Sequence, residues 1–267
     1  MTLSFDLISD LHLDTWDTPL DLIGQATSPI CVVAGDVTRD HQQLREFLKH
    51  LSKCYAAVFY IDGNDEHRYQ LNDLDASYRN LTRTLKRINR VTYLQNNLII
   101  IDGVAIIGAN GWWGFDLDDS IDHSASQDWM RQVYEQRMPE ITIDTHAIQD
   151  HGRNDTAYLI NTIQRIQTHN DVKKVVVVTH TVPNVELINH DLDLVNTHHF
   201  NCMGNRLMRL VLSNDTEHKI NTWCFGHYHR SVDRIIDNVR YVNNCRGRGD
   251  TEHRQHVYYP KRIEITV

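Results

Sequence analysis

Ile30–Ala34 reads ICVVA and runs directly into Gly35-Asp36. A short apolar run, three of its residues β-branched, that stops at a glycine and a carboxylate has the pattern of a buried strand and its exit turn. The arrangement recurs on both sides. Leu3–Ser9 ends in Asp10-Leu11-His12, and Ala56–Ile61 ends in Gly63-Asn64-Asp65-Glu66-His67. Val175–Val178 ends in Thr179-His180, and Asn221–Phe225 ends in Gly226-His227-Tyr228-His229. Helical spacing fills the gaps. His41–Ser52 repeats Leu44, Phe47, Leu48 and Leu51, and Leu71–Ile88 carries an amphipathic face. Ala125–Arg137, Asp155–His169 and Gly204–Leu212 are further expected helices, with Asn154 or Asp155 as N-cap of the second. Val91–Gly108 reads as strands turning at Asp102-Gly103. Ser231–Ile236, Val239–Asn243 and Arg262–Val267 read as late strands, the first two joined at Asp237-Asn238. Asn110–Asp122 is expected to be a surface loop. Alternating strands and helices predict one α/β domain over residues 1–267.

Composition narrows the class. The 267 residues are 41% hydrophobic and 23% charged, ordinary values for a globular chain. The net charge is −8, which disfavours extended nucleic-acid tracks and anionic membranes. The five cysteines are widely spaced without a CxxC, as expected for reduced thiols. No apolar run approaches the roughly 20 residues of a membrane span. The N-terminal stretch carries Asp6 and Asp10, unlike a secretory leader. A cytoplasmic protein is therefore expected. Histidine is the anomaly, 17 residues against 12 glycines.

Position gives some of those histidines a purpose. Singly, a DxH, a Gly-Asp turn or a GHxH is a common surface feature. Together, Asp10, His12, Asp36, Asn64, His180, His227 and His229 place seven nitrogen and oxygen donors at the ends of five apolar runs, where α/β sheets gather functional groups. Two divalent cations about 3.5–4 Å apart clamp a phosphorus centre for in-line attack. Such a pair needs imidazole and carboxylate ligands with one carboxylate able to bridge. This donor set suits Mn, Fe or Zn, not Cu(I).

The ordered blocks Asp10-x-His12, Gly35-Asp36, Gly63-Asn64-Asp65-Glu66, His180 and Gly226-His227-x-His229 resemble the calcineurin-like metallophosphoesterase superfamily, in its smaller bacterial and phage branch. Asn243-Asn244-Cys245-Arg246-Gly247 resembles that branch's Asn-Pro-Arg-Gly turn, with Cys245 for Pro. The resemblance implies a two-sheet αββα sandwich flanked by helices, with a dinuclear site at strand C-terminal ends. It implies one ion on Asp10, His12, Asp36 and His229, and another on Asp36, Asn64, His180 and His227, with Asp36 bridging. The cofactor would be two divalent ions, Mn first, with Fe, Zn or Ni as alternatives. The implied activity is phosphoester hydrolysis by a metal-activated hydroxide.

One residue departs from the pattern. The family reads Gly-Asn-His-Asp/Glu, and this chain has Asp65 in place of the His. The missing imidazole contacts the phosphoryl group and helps protonate the leaving oxygen. An ionised Asp65 would be a poor donor and would repel a dianionic monoester, so phosphodiesters are expected to be favoured. Alternatively His67 swings in and restores phosphomonoesterase chemistry, or the chain is a nuclease, a protein phosphatase or a weakened scaffold. Arg68 and Arg246 are candidate phosphate contacts, alongside Asn64. Arg248 reads as a surface turn, Trp112 and Trp113 as a lip for a base or sugar or as core, and one of His198 and His199 as a possible pocket residue. The expected partner is a small phosphoester or nucleotide-like substrate, with no membrane. The oligomeric state is not legible. The histidines outside these blocks, His190, His253 and His256 among them, carry no assigned role.

Overall fold

The computed structural model describes residues 1–17, 24–188, 197–252 and 257–267. His190, His253 and His256 lie outside the described residues. Two sheets face each other. The first has the order β11-β1-β2-β3-β4, formed by Lys261–Thr266, Thr2–Ile8, Ile30–Ala34, Ala57–Ile61 and Val91–Tyr93. Its β1 to β4 are parallel and β11 is antiparallel to β1. The second has the order β5-β6-β7-β8-β10-β9, formed by Asn97–Ile101, Val104–Gly108, Lys174–Val178, Ile220–Phe225, Val239–Asn243 and Val232–Ile236. Here β6, β7, β8 and β10 run parallel between antiparallel edges.

Alternation along the strands makes the layers. Phe5, Leu7, Val32 and Phe59 face Ile106, Val176, Cys224 and Val242 in the core between the sheets. The opposite faces of the same strands carry Val33 and Tyr60, and Ala105 and Val177. Helix α1 (His41–Cys54) covers the first with Leu44, Phe47 and Leu48, beside α2 (Leu74–Leu85). Helix α4 (Thr145–Gln167) covers the second with Leu159, Ile163 and Ile166. The expected αββα sandwich is the observed one. Among the described residues, no helix is long and apolar enough to cross a membrane, and all five cysteines are free thiols.

Three local expectations need correction. Helix α4 begins at Thr145, ten residues before the expected start, with Asp144 capping His146 and Ala147. Gly152 did not break it. A Cβ there would stand 2.3 Å from the Trp112 carbonyl oxygen, so the glycine lets the helix lie against that backbone. The stretch after Asn110 is not a surface loop at its start. Trp112, Trp113 and Phe115 are buried with Leu71, Met130, Tyr134 and Ile148, beneath α3 (His123–Arg137) and α4. Only the acidic end, from Asp118 to the α3 cap Asp122, faces outward. Finally, β4 joins the first sheet while the β5–β6 hairpin belongs to the second. That hairpin turns at Asp102-Gly103 and the β9–β10 hairpin at Asp237-Asn238, all four residues at positive φ, as type I′ turns require.

Candidate dinuclear metal site

Asp10, Asp36, Asn64, His180 and His227 each lie just beyond the C-terminal end of a parallel strand, so both sheets deliver donors to one edge of the sandwich. The exit turns are strained. Asp10, His12, Asp36 and His227 have φ of 50°, 43°, 52° and 63°, a region side chains rarely adopt. Such conformations persist only when the surroundings over-determine them. Here the loops hold one another. Asp10 N donates to Gly35 O at 2.9 Å, His12 N to Asp36 O at 3.1 Å, and His227 N to Asp10 Oδ1 at 2.8 Å. Gly35 has φ +85°, and a Cβ on it would stand 2.5 Å from His180 Nδ1.

The donors form two groups that share one residue. Asp10, His12, Asp36 and His229 converge in the first, and Asp36, His180 and His227 in the second. Asp36 faces both. Its Oδ2 lies 3.8 Å from His12 Nε2, and its Oδ1 lies 3.4 Å from His180 Nε2. Asn64 Oδ1 joins the second group, 3.2 Å from His180 Nε2. One carboxylate with an oxygen toward each group is the geometry of a bridging ligand.

The far side of each imidazole is occupied. His12 Nδ1 meets Asp65 Oδ2 at 3.2 Å, His229 Nδ1 meets Glu252 Oε1, and His180 Nδ1 donates to Ala34 O at 2.9 Å. His227 instead donates Nε2–H to Cys202 O at 3.1 Å. These acceptors fix the tautomer each ring takes when neutral, which directs Nε2 of the first three rings and Nδ1 of His227 toward a metal ion. The donor set fits metal ions on two further observations. His12 Nε2 and His229 Nε2 are 3.0 Å apart with their lone pairs facing, the separation of two ligands bound cis at about 2.1 Å to one cation. Asp10 Oδ2 is buried without a hydrogen-bond partner, an uncommon state for a carboxylate oxygen.

Charge is arranged to match. Burial alone would raise the Asp36 carboxyl, but the His180 and His12 imidazoles hold it well below the usual range. Burial disfavours a charged His180, yet the Asp36 charge lifts it to about 10. Burial and the neighbouring His180 push His227 down to about 3, so that ring stays neutral.

No protein-family model matches the chain. Its sequence matches no curated protein at a significant level. Solved structures do match. A phosphopantetheinyl hydrolase from Mycobacterium tuberculosis aligns over 92% of this chain and 89% of its own, at 17% identity and a TM-score of 0.70. The chain has the calcineurin-like metallophosphoesterase fold. A 5′-nucleotidase from Staphylococcus aureus covers 92% of this chain at 16% identity and a TM-score of 0.48, and this chain spans 49% of its length. A dimetal phosphatase from Danio rerio covers 90% of this chain and 86% of its own at 12% identity, also with a TM-score of 0.48.

Within this metallophosphoesterase fold, the other sequence-predicted residues fall in unexpected places. His67 does not swing toward the metal ligands. Its ring is buried, with Nε2 2.8 Å from Asp62 Oδ2 and Nδ1 2.8 Å from Ser77 Oγ, and it packs on Tyr78 and Trp112. The expected substitution of His67 for the family His is therefore corrected: both nitrogens are already engaged. Asp65 is fully buried and turned to His12, Arg68 and Arg248. Burial and the Asp36 charge would raise its carboxyl, but His12 and Arg248 hold it well below the usual range. Arg68 lies over the Tyr134 ring, 5.2 Å from its centroid. Arg246 is buried with its guanidinium 4.0 Å from the centroid of Trp16. Trp113 stacks on His227 at 5.3 Å inside the core, so the two tryptophans form no lip. His198 Nδ1 meets Ser126 Oγ, and His199 packs on Trp129.

Sequence reasoning missed three supporting residues. Glu66 accepts from the backbone N–H of Gly63 and Val37 at 2.7 Å and of Asp36 at 3.2 Å, tying the Asn64 loop to the bridging aspartate. Its place beside Asn64 was the signal. Glu252 orients His229 across 23 positions of sequence, with no local motif to mark it. Arg248, read as a surface turn, reaches the buried Asp65.

Proposed function

We propose that the chain is a divalent-metal-dependent phosphoesterase holding two ions, Mn²⁺ first among them. Asp36, aimed at both donor groups, is the observation that carries this reading. Asp10, His12, Asp36 and His229 would hold one ion and Asp36, Asn64, His180 and His227 the other. Ions bound there lower the pKa of water and offset the charge that develops on phosphoryl oxygens. The chain's own contribution is positional. Glu66 fixes the Asp36 turn, and Asp65, Glu252 and the Ala34 carbonyl fix the rings of His12, His229 and His180.

The finer reading concerns the substrate. Where the family has an imidazole, this chain has a carboxylate held ionised beside guanidinium groups, and neither donates a proton readily. His67 is committed elsewhere. We therefore favour phosphodiesters, and leaving groups that need little protonation, over alkyl monoesters. Bis(4-nitrophenyl) phosphate and 4-nitrophenyl phosphate, compared under saturating Mn²⁺, test this preference. Faster turnover of the diester is expected, and faster monoester turnover contradicts it. A phosphopantetheinyl ester, the group in the name of the Mycobacterium tuberculosis neighbour, belongs in the same screen.

A further inference from the structure

Asp65 is the residue that departs from the family pattern, and its surroundings are more elaborate than charge balance requires. One buried carboxylate gathers four side chains: His12 Nδ1 at 3.2 Å, Asn64 Nδ2 at 3.2 Å, Arg68 Nη1 at 3.1 Å and Arg248 Nη2 in direct contact. A single guanidinium would neutralise it. Two guanidiniums on one carboxylate bring more N–H donors than Asp65 can accept, which suits a second anionic acceptor.

Both guanidiniums are anchored at one end and open at the other. Each carries five N–H donors. Arg68 commits Nε to the Met138 sulfur at 3.3 Å and Nη1 to Asp65. Arg248 commits Nη2 to Asp65. Each side chain remains 21% exposed while Asp65 is 0% exposed. The buried anion thus fixes one edge of each fork and leaves the other edge facing out.

The backbone fixes Arg248 as well. Gly247 N donates to Asp10 O at 2.9 Å, and Gly249 N donates to Thr15 Oγ1 at 3.0 Å. The residues on both sides of Arg248 are therefore tied to the loop that carries Asp10 and His12. Arg248 meets Asp65, whose backbone N–H donates to Asp36 Oδ1 at 2.8 Å, so one residue links the guanidinium to the bridging carboxylate.

We propose that Arg248 binds a non-bridging oxygen of the substrate phosphoryl group, with Arg68 beside it, and that Asp65 is the positioning residue for both. Two guanidiniums on a buried carboxylate take over phosphoryl contact from the absent imidazole, without its capacity to donate a proton. Planar forks suit phosphate oxygens in pairs, which an ammonium does not reproduce. This assignment rests on the phosphoesterase reading.

The test is calorimetric titration of the Mn²⁺-loaded full chain with inorganic phosphate, with metal content measured on every sample. Arg248→Ala is expected to keep its metal and bind phosphate at least tenfold more weakly. Arg248→Lys, which keeps the charge, is expected to recover only part of that loss. Asp65→Asn is expected to weaken phosphate binding at saturating metal, and Arg248→Ala on that background to cost much less than on the wild type, because residues acting as one unit are not additive. In steady state with bis(4-nitrophenyl) phosphate, the Arg248→Ala loss should fall more on KM than on kcat. Phosphate binding by Arg248→Ala or Arg248→Lys within twofold of wild type, or fully additive losses with Asp65→Asn, overturns the assignment. In an active wild type those results overturn it alone. A wild type that holds metal yet binds no phosphate and hydrolyses no ester overturns the phosphoesterase reading with it.

Discussion

His12 Nδ1 lies 3.2 Å from Asp65 Oδ2, while His12 Nε2 faces His229 Nε2 at 3.0 Å. The first contact places the ring proton on the carboxylate side and so turns a lone pair toward its neighbour. His229 is set in the same way by Glu252 from the opposite direction. The two rings belong to one donor group, and their shared orientation is the work of two acids contributed by distant parts of the chain.

That arrangement makes Glu252 a metal-affinity residue for one ion only, whereas Asp65, which also accepts from Asn64 Nδ2 at 3.2 Å, supports both donor groups. Partners of this kind typically contribute 10–100-fold in affinity. Glu252→Ala should weaken the ion held by Asp10, His12, Asp36 and His229 by roughly that factor. The ion held through His180 and His227 should stay. Titration against a competing chelator, followed by elemental analysis, should find bound metal falling from two ions toward one. Equal loss of both ions would contradict this assignment.

His67 should prove a structural residue. His67→Phe keeps a ring packed against Tyr78 and Trp112 and removes both hydrogen bonds; Asp62 Oδ2 keeps Asn110 Nδ2 and Tyr78 OH, but the buried Ser77 hydroxyl loses its ring partner. Leaving a buried polar group unsatisfied costs roughly 1–3 kcal/mol. The denaturant midpoint should fall accordingly while kcat changes little. A large loss of kcat at unchanged stability would return His67 to the chemistry.

Metal uptake should release a proton. A ligating imidazole must be neutral. Burial disfavours the charged His180 ring, but the Asp36 charge raises it to about 10 in the metal-free protein. Near pH 8 the ring therefore gives up its proton as metal enters. Calorimetry in buffers of different ionisation enthalpy should read about one proton released, decreasing as pH passes about 10. The same shift has a sign for folding of the metal-free chain. The folded state binds this proton more tightly than the unfolded chain, whose histidine pKa is about 6.5. The stabilisation is thus fully present below about 6.5 and is lost as pH rises through about 10. Metal binding at pH 8 with no proton release would contradict a His180 ring held charged by Asp36.

The five strand ends were legible because each couples an apolar run to a polar exit turn, a pattern local enough to read in a window of ten residues. Helix α4 was half legible: residues 145–154 precede the expected start, and the reason the helix carries Gly152 there, a close pass of the Trp112 carbonyl, is a long-range contact. The stretch holding Trp112 and Trp113 was read as a surface loop because neighbouring Gly and acids suggested solvent, whereas α3 and α4 bury both rings, as the core alternative had it. The side chains of both converging donor groups were visible in sequence. Their supports were not. Glu252 and Arg248 act across long chain separations, and contacts of that kind leave no spacing to detect. Asp65 was seen as a missing histidine. Its contacts with His12, Arg68 and Arg248 give it a positive role.

The central claim is that Asp36 joins two metal ions in one phosphoesterase site. Its most direct test is the metal content of the chain after loading with Mn²⁺ and removal of free metal, read beside hydrolysis of bis(4-nitrophenyl) phosphate. The wild type should hold two ions per chain and turn over the diester. Asp36→Ala should hold one ion or none and lose at least about a hundredfold in kcat, because the clamp needs both ions. A wild type that takes up no metal, or an Asp36→Ala variant that keeps two ions and full activity, would contradict the claim.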